Sequence, residues 1–227
     1  MLNSHAHIDF ASVEKFENTN ACIVPSVGKS NWREVTKFPN YALGIHPWYI
    51  EEHKISDIKL LDKYIKNNNP VAIGECGLDF NINTNKKEQK RFFLEQLCLA
   101  KKYQLPVIIH SVKATEEVIL TLKQFQGVKG EIHGFSGSLS QAKILTNLGF
   151  LIGFGIQITK TKSTKIRSLV KNMPIEFILI ETDDHKNPND IYKVAKTIAE
   201  LKQIPVEIII EQCDNNALSL FNISLIL

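Results

Sequence analysis

Six side chains of the kind that bind metal ions are spread over almost the whole chain, and each lies at the end of a short apolar run typical of a β-strand. Two of them form the pair His5-Ala6-His7, whose spacing places both imidazoles on one side of an extended chain. Imidazoles combined with carboxylates suit zinc, manganese or iron-like divalent ions, and magnesium less well. The pattern predicts a metal-dependent hydrolase. Its candidate ligands are His5, His7, Glu75, His110, His133 and Asp183.

The two acidic residues of this set could do more than bind an ion. Glu75 follows the apolar run 71–74, where an ionised carboxylate is costly to bury unless a cation neutralises it. Its two oxygens could also bridge two ions. Asp183 follows the apolar run 177–180 and could both bind an ion and accept a proton from an attacking water. A salt-bridged carboxylate and hydrogen-bonded core histidines are the alternatives, and the convergence of all six favours metal.

Ligands so distant in sequence can meet only if the elements that carry them converge. Apolar runs alternate with amphipathic helical patterns along the chain, which predicts an α/β protein with a parallel sheet and crossover helices. Eight such runs favour a single (β/α)8 TIM-barrel domain over residues 1–227, with the chemistry at the strand C-termini. The predicted strands are 2–8, 21–27, 41–45, 70–74, 106–110, 130–133, 150–153 and 177–181.

Helical patterns fall between most of these strands. They cover residues 56–66, 85–103, 114–124, 138–148, 163–171 and 189–202. Ser138, Ser163 and Asn189 are predicted to cap three of these helices at their N-termini. The tail, residues 205–227, is predicted to form two short helices on the outside of the barrel. Its apolar side chains are predicted to belong to the core, namely Leu218, Leu220, Phe221 and Ile223.

Composition limits the class of protein without identifying it. The chain has 227 residues, of which 44% are hydrophobic, so it can bury one substantial core. A formal net charge of +3 permits an anionic substrate but does not require one. The four cysteines are widely spaced and form no CxxC pair, which predicts reduced and mostly buried thiols. The lack of a basic-then-apolar leader and of a run of about 18 apolar residues predicts a cytoplasmic protein without membrane association.

The motifs that hold the candidate ligands also match a known family. The chain resembles the TatD family of metal-dependent hydrolases, which are related to the amidohydrolase barrels. The GE-x-GLD and H-x-FSGS elements are together specific, whereas GIHP alone is weak. The matching stretches are Ser4–Asp9, Gly44–Pro47, Ile73–Asp79, Pro106–Ser111, His133–Ser138 and Glu181–Asp183, with Asn216, Ala217, Leu220 and Phe221 in the last helix.

The resemblance implies an amidohydrolase-like (β/α)8 barrel, a site for two divalent ions and phosphodiesterase activity on DNA, typically from 3′ ends. One ion would be held by His5, His7, Glu75 and Asp183, and the other by Glu75, His110 and His133. Glu75 would bridge the ions, and Asp183 would be the base. The metal could be zinc, manganese or magnesium, and the substrate would be single-stranded or end-frayed DNA.

Contacts to such a substrate are predicted at the mouth of the barrel. His46 could contact it, Trp48 could stack on an unpaired base, and Lys113 could supply positive charge, although a structural role is an alternative for the first two. A basic cluster could favour a phosphate backbone, or could simply be a solvated helix face. This cluster comprises Lys160, Lys162, Lys165, Arg167 and Lys171.

Three departures from the family pattern bear on the substrate. Asn3 stands where the family usually has Asp, and Lys113 lies where an arginine often follows the ligand histidine. The loop 184–188 is short and lacks arginine. The alternatives are therefore a metal-dependent hydrolase of a small ester, lactone, amide or aminoacyl-tRNA ester, and a catalytically silent binding barrel. The oligomeric state is left open.

Overall fold

Seven parallel strands in sequential order form the sheet of the computed structural model, which describes residues 1–10, 21–183 and 187–224. Each strand pairs in parallel with the next, as crossover helices require. The strands are β1 (Val24–Pro25), β2 (Tyr41–Leu43), β3 (Ala72–Asp79), β4 (Val107–Val112), β5 (Gly130–Ile132), β6 (Phe150–Phe154) and β7 (Ile178–Ile180). The predicted α/β class and the parallel sheet are confirmed.

Helices connect the strands at most of the predicted places. They are α1 (Trp32–Val35), α2 (Asp57–Asn68), α3 (Lys86–Tyr103), α4 (Thr115–Leu122), α5 (Leu139–Asn147), α6 (Thr164–Asn172), α7 (Ile191–Lys202) and α8 (Val206–Phe221). The predicted cap at Ser138 is confirmed as a capping box with Gln141. Ser163 occupies the predicted N-cap position of α6 but makes no side-chain capping bond. The prediction for α7 was wrong by one residue, because Asp190 rather than Asn189 precedes that helix.

The N-terminal segment differs from the predicted first strand. Within the described part of the chain, residues 2–8 form only isolated bridges, and a 3-10 turn begins at Ile8. The segment nevertheless hydrogen-bonds on both sides. The Asn3 N–H donates to the Ala21 carbonyl at 2.7 Å, and the Ser4 N–H donates to the Ile180 carbonyl at 3.0 Å. It therefore bridges the chain before β1 and the end of β7 without forming a regular strand.

The tail also differs from its prediction. One continuous helix, α8, replaces the two predicted short helices. Pro205 precedes its first turn, and no glycine or further proline interrupts the stretch that follows. Ala217 and Phe221 on this helix are buried against apolar residues near the starts of several strands. The predicted packing of the tail on the core is confirmed.

The strands supply the core that supports the site. All eight residues of β3 are buried, as expected for a parallel sheet covered by helices. Three of the four cysteines are buried and Cys98 is exposed, and all four are free. No described helix is long and apolar enough to cross a membrane.

Candidate metal centre

The structure brings all six candidate ligands together, with Glu75 at their centre. The Glu75 side chain is only 2% exposed, and its two oxygens face different histidines. Oε1 lies 2.9 Å from His110 Nδ1 and 2.8 Å from His133 Nε2. Oε2 lies 3.2 Å from His7 Nε2 and 3.4 Å from His5 Nε2. The carboxylate thus divides the histidines into two pairs.

Asp183 closes the side of the cluster that Glu75 Oε2 faces. Its Oδ1 lies 3.4 Å from His5 Nε2 and 3.8 Å from His7 Nε2. Its side chain is 41% exposed, which makes it far more accessible than Glu75. Its backbone φ of +54° lies in the left-handed region, which non-glycine residues rarely adopt. Such conformations concentrate at functional sites, where the surrounding structure holds them.

The donor atoms are close enough to share cations. Three groups each have ligand atoms within 4.8 Å of one another: His5, His7 and Glu75; His5, His133 and Asp183; His46, Glu75 and His110. Imidazole nitrogens and carboxylate oxygens together fit zinc or manganese. The residues therefore fit a divalent metal, as the sequence predicted.

Two ligand positions lie inside strands rather than at their ends, contrary to the expectation from the apolar runs. β3 continues through Glu75 to Asp79, and His110 lies two residues before the end of β4. The β3–β4 register shifts between Ile73 and Cys76, next to Glu75. His133 does follow β5 directly.

Gly77 explains how β3 can bring Glu75 so close to β4. A Cβ at this position would lie 2.1 Å from the His110 carbonyl oxygen, and Gly77 has a φ of +139°. Only glycine tolerates both the close approach and this backbone conformation. The second glycine of the GE-x-GLD motif, Gly77, therefore allows Glu75 and His110 to come together.

Burial and charge set the protonation of the cluster. Burial opposes a charge on His5, but Glu75 and Asp183 outweigh it and raise the pKa of His5 well above its ordinary value. Asp79 and Glu75 likewise overcome burial and raise the pKa of His110 to about 9. Burial prevails at His133 and lowers its pKa to about 4. The surrounding histidines overcome burial and hold the pKa of Glu75 well below its ordinary value.

His46 contributes a hydrogen-bond donor to the same cavity. Its Nδ1 accepts a hydrogen bond from the Trp48 backbone N–H at 3.1 Å. Burial lowers the pKa of His46, so the ring is neutral and carries its single proton on Nε2. That nitrogen lies 3.1 Å from Glu75 Oε1 and is directed into the site. A protonated Nε2 has no lone pair for a metal, so His46 is better suited to donate a hydrogen bond than to bind an ion.

Sequence reasoning assigned no role to three buried acidic residues behind the cluster. Asp79 Oδ2 lies 3.3 Å from His110 Nε2. Glu131 and Glu181 are both buried. Glu131 Oε1 accepts a hydrogen bond from Ser4 Oγ at 2.6 Å, and Glu181 Oε1 lies 3.9 Å from His133 Nδ1. Asp79 lies in the GE-x-GLD motif and Glu181 in the matching stretch Glu181–Asp183, and these family matches were the available signal in the sequence.

The Glu131–Glu181 pair is packed into space left by a glycine. A Cβ at Gly153 would lie 2.4 Å from Glu181 Oε2 and 2.5 Å from Glu131 Oε1. Burial raises the pKa of both glutamates, and the Glu131 charge raises the pKa of Glu181 further. Gly153 is therefore required where β6 passes these carboxyl groups.

A cavity of about 240 Å³ opens onto the cluster. Its lining residues are His7, Val27, His46, Trp48, Tyr49, Glu75, His110, His133 and Asp183. The predicted substrate residues His46 and Trp48 thus lie at this cavity. Lys113 is exposed and is not among the lining residues.

The basic cluster lies beside a separate cavity of about 330 Å³. Lys162 and Lys165 line that cavity, and the Arg167 guanidinium donates to the Ile158 carbonyl at 2.7 Å. Residues 184–186 of the arginine-free loop lie outside the described residues.

A parallel α/β sheet that brings imidazoles and carboxylates together at one cavity is typical of α/β metal-dependent hydrolases. The family model "TatD related DNase" matches residues 3–222. "Uncharacterized metal-dependent hydrolase YjjV" of Escherichia coli K12 is 32% identical over 98% of each chain. Human "Deoxyribonuclease TATDN3" is 33% identical over 79% of this chain and 73% of the relative.

Solved structures agree with this match. The crystal structure of the E. coli TatD homologue YjjV has a TM-score of 0.91 at 30% identity, covering 99% of this chain and 98% of that chain. A TatD family hydrolase from Entamoeba histolytica shares the fold, with a TM-score of 0.83 at 19% identity and 97% of each chain covered. The chain belongs to the TatD family of metal-dependent hydrolases.

Proposed function

We propose that this hydrolase cleaves phosphodiester bonds of single-stranded or end-frayed DNA, as a 3′–5′ exodeoxyribonuclease that uses two divalent ions. The proposal depends on one observation, which is that the two carboxylate oxygens of Glu75 face different pairs of histidines. Oε1 faces His110 and His133, whereas Oε2 faces His5 and His7. A carboxylate whose oxygens face separate sets of ligands is suited to bridge two ions, and paired ions favour displacement at phosphorus. The name of the human relative, a deoxyribonuclease, points the same way.

In this proposal each ion has its own ligands around the shared Glu75. His5, His7 and Asp183 would complete one site, and His110 and His133 the other. Bound divalent ions would supply Lewis acidity and lower the pKa of a water nucleophile. Asp183, the most accessible carboxylate of the cluster, would accept the proton of that water. His46 would donate a hydrogen bond from its Nε2–H to an oxygen of the substrate.

The fold proposed for this mechanism is a closed barrel. The segment 3–7 hydrogen-bonds to the chain on both sides. We infer that it takes the place of the eighth strand between β7 and β1 and completes a single (β/α)8 domain. Closure by this segment explains how His5 and His7 reach ligands carried by β3 and by the end of β7.

One observation favours the alternative of a small ester, lactone or amide. Among the described residues, the lining of the cavity contains no lysine or arginine. A phosphodiester would then depend on the bound ions, on Lys113 outside the lining and on the basic cluster around Lys162 and Lys165. A catalytically silent barrel is the third possibility, and the complete cluster of donor atoms argues against it.

A substrate screen with an Asp183→Asn variant tests the proposal. The metal-stripped protein is reloaded with zinc, manganese or magnesium and assayed on labelled single-stranded DNA, a carboxylic ester and a lactone. We expect DNA cleavage, and at saturating metal Asp183→Asn should reduce kcat far more than DNA binding. Asp62→Asn on α2, where the side chain is 32% exposed and pairs with the surface residue Lys102, is a matched control. Turnover of an ester or lactone without DNA cleavage by any metal would refute the nuclease assignment.

A further inference from the structure

One carboxylate oxygen holds both an exposed aromatic ring and a histidine of the metal centre. Asp79 Oδ2 accepts a hydrogen bond from Trp48 Nε1 at 2.7 Å and lies 3.3 Å from His110 Nε2. The other oxygen, Oδ1, accepts from the Asn81 N–H at 2.8 Å. Asp79 itself is 2% exposed, so these bonds form away from bulk water and are stronger for it.

The backbone of Asp79 is also held from two sides. The buried Gln89 of α3 accepts a hydrogen bond from the Asp79 N–H and donates to the Asp79 carbonyl, both at 2.8 Å. A side chain whose backbone and both oxygens are fixed has little freedom to move. The position of Asp79 therefore determines the positions of the groups bonded to it.

Trp48 is unusual because it is anchored and yet exposed. Trp48 is 55% exposed, and it lines the cavity that opens onto the metal-binding cluster. Its ring contacts the His46 ring edge-to-face at 5.2 Å and the His110 ring at 6.1 Å. An exposed indole held in one orientation offers a flat apolar surface to a ligand. Because the indole is already ordered, little side-chain entropy is lost when the ligand binds.

We propose that Asp79 is a positioning residue that fixes the Trp48 indole as a stacking platform for an unpaired nucleobase and, through the same oxygen, orients His110 toward Glu75. The inference rests on the proposed DNA substrate. In this view the enzyme recognises the nucleobase itself as well as the phosphate. Stacking is tolerant of base identity, so the platform would select for an unpaired end and not for a sequence.

The platform is tested by comparing two short single strands on the full-length, metal-loaded protein. One is an ordinary oligonucleotide, and the other carries an abasic residue at its 3′ end. We expect the ordinary strand to have the lower KM and to quench the fluorescence of Trp48. Trp48→Ala should raise its KM about 10- to 100-fold and leave the abasic strand nearly unchanged. Tyr192→Ala removes a comparably exposed ring on α7 and serves as the control.

The positioning role is tested by Trp48→Phe and Asp79→Asn. Trp48→Phe keeps an aromatic ring but loses the N–H donor, so KM should rise while the metal affinity stays unchanged. Asp79→Asn should raise KM similarly and also weaken metal binding about 10- to 100-fold, measured by titration without substrate. The double variant should raise KM no further than Asp79→Asn alone, because both remove one interaction.

Each remaining outcome decides a different part of the inference. Equal KM values for the two strands, with DNA still cleaved, would overturn the platform and leave the proposed function intact. Failure to cleave either strand would refute the proposed function instead. Unchanged metal affinity in folded Asp79→Asn would overturn the role toward His110. If Asp79→Asn does not fold, an unaltered KM in Trp48→Phe still overturns the anchoring.

Discussion

Replacing Glu75 by glutamine should remove metal binding while the fold remains. The substitution keeps the shape of a side chain that is 2% exposed but removes the charge that faces the histidines on both sides. Removing one partner of a buried charged pair costs about 3–5 kcal/mol. Applied to a bound cation, this corresponds to a loss in affinity of about 150- to 5,000-fold.

Thermal unfolding with added metal measures this loss directly. At a metal concentration of about 100 times the wild-type Kd, each bound ion should stabilise the wild type by about 2.7 kcal/mol. A 150-fold weaker Kd leaves about 0.3 kcal/mol at the same concentration. For a chain of this size these values correspond to a rise in Tm of about 5–11 °C for the wild type and about 1 °C for the variant.

A second glutamate on the surface provides the control for Glu75→Gln. Glu95→Gln makes the same chemical change on the exposed face of α3 and should keep the full metal-induced rise in Tm. In EDTA the Glu75→Gln protein should unfold cooperatively, because the apolar core does not include this side chain. A variant that binds the wild-type amount of metal, with the full rise in Tm, would show that Glu75 is not a shared ligand.

Three further predictions follow from the surroundings of the site. Because the pKa of His110 is raised to about 9 and a ligand must be deprotonated, loss of this proton should raise the affinity for the ion that His110 and His133 would hold about tenfold per pH unit between pH 7 and 9. Isothermal titration giving a flat profile would contradict this. Gly153→Ala should destabilise by about 1–3 kcal/mol in urea unfolding, since its Cβ would lie within 2.5 Å of two carboxyl groups. A loss no larger than that of Gly155→Ala, whose Cβ would lie no closer than 3.4 Å to any atom, would count against the close packing. Gln96→Leu should cost about 2–6 kcal/mol, because the Ile45 N–H and C=O lose their partner; an unchanged urea midpoint would show that water replaces it.

Local patterns in the sequence were sufficient to predict the class of fold and the candidate ligands. Apolar runs between amphipathic stretches reflect burial that each residue experiences in almost any parallel α/β arrangement. The HxH pair and the GE-x-GLD motif identify residue types whose burial is hard to explain without a cation. Those features depend on side-chain chemistry and short-range spacing, and both can be read directly from the chain.

Boundaries depended on contacts that the sequence does not encode locally. The apolar run before Glu75 suggested that its strand ends at Gly74, yet hydrogen bonds to β4 extend β3 to Asp79. Residues 206–221 contain no glycine or proline, so packing on the sheet allowed one helix where two were predicted. Strand limits follow from the partner strand, and helix continuity follows from the surface on which the helix packs.

The hydrogen-bond partners of Asp79 and His46 were visible only in the tertiary structure. Nothing in the spacing of the chain indicates that Asp79 meets both Trp48 and His110, because the three residues lie on separate elements. The proton of His46 is likewise placed by the Trp48 N–H, a partner that the sequence motif does not specify. The sequence determined which functional groups are present. The tertiary structure decided which of them contact one another, as Trp48 and His110 both contact one oxygen of Asp79. Such contacts require side-chain positions that are set by the whole sheet.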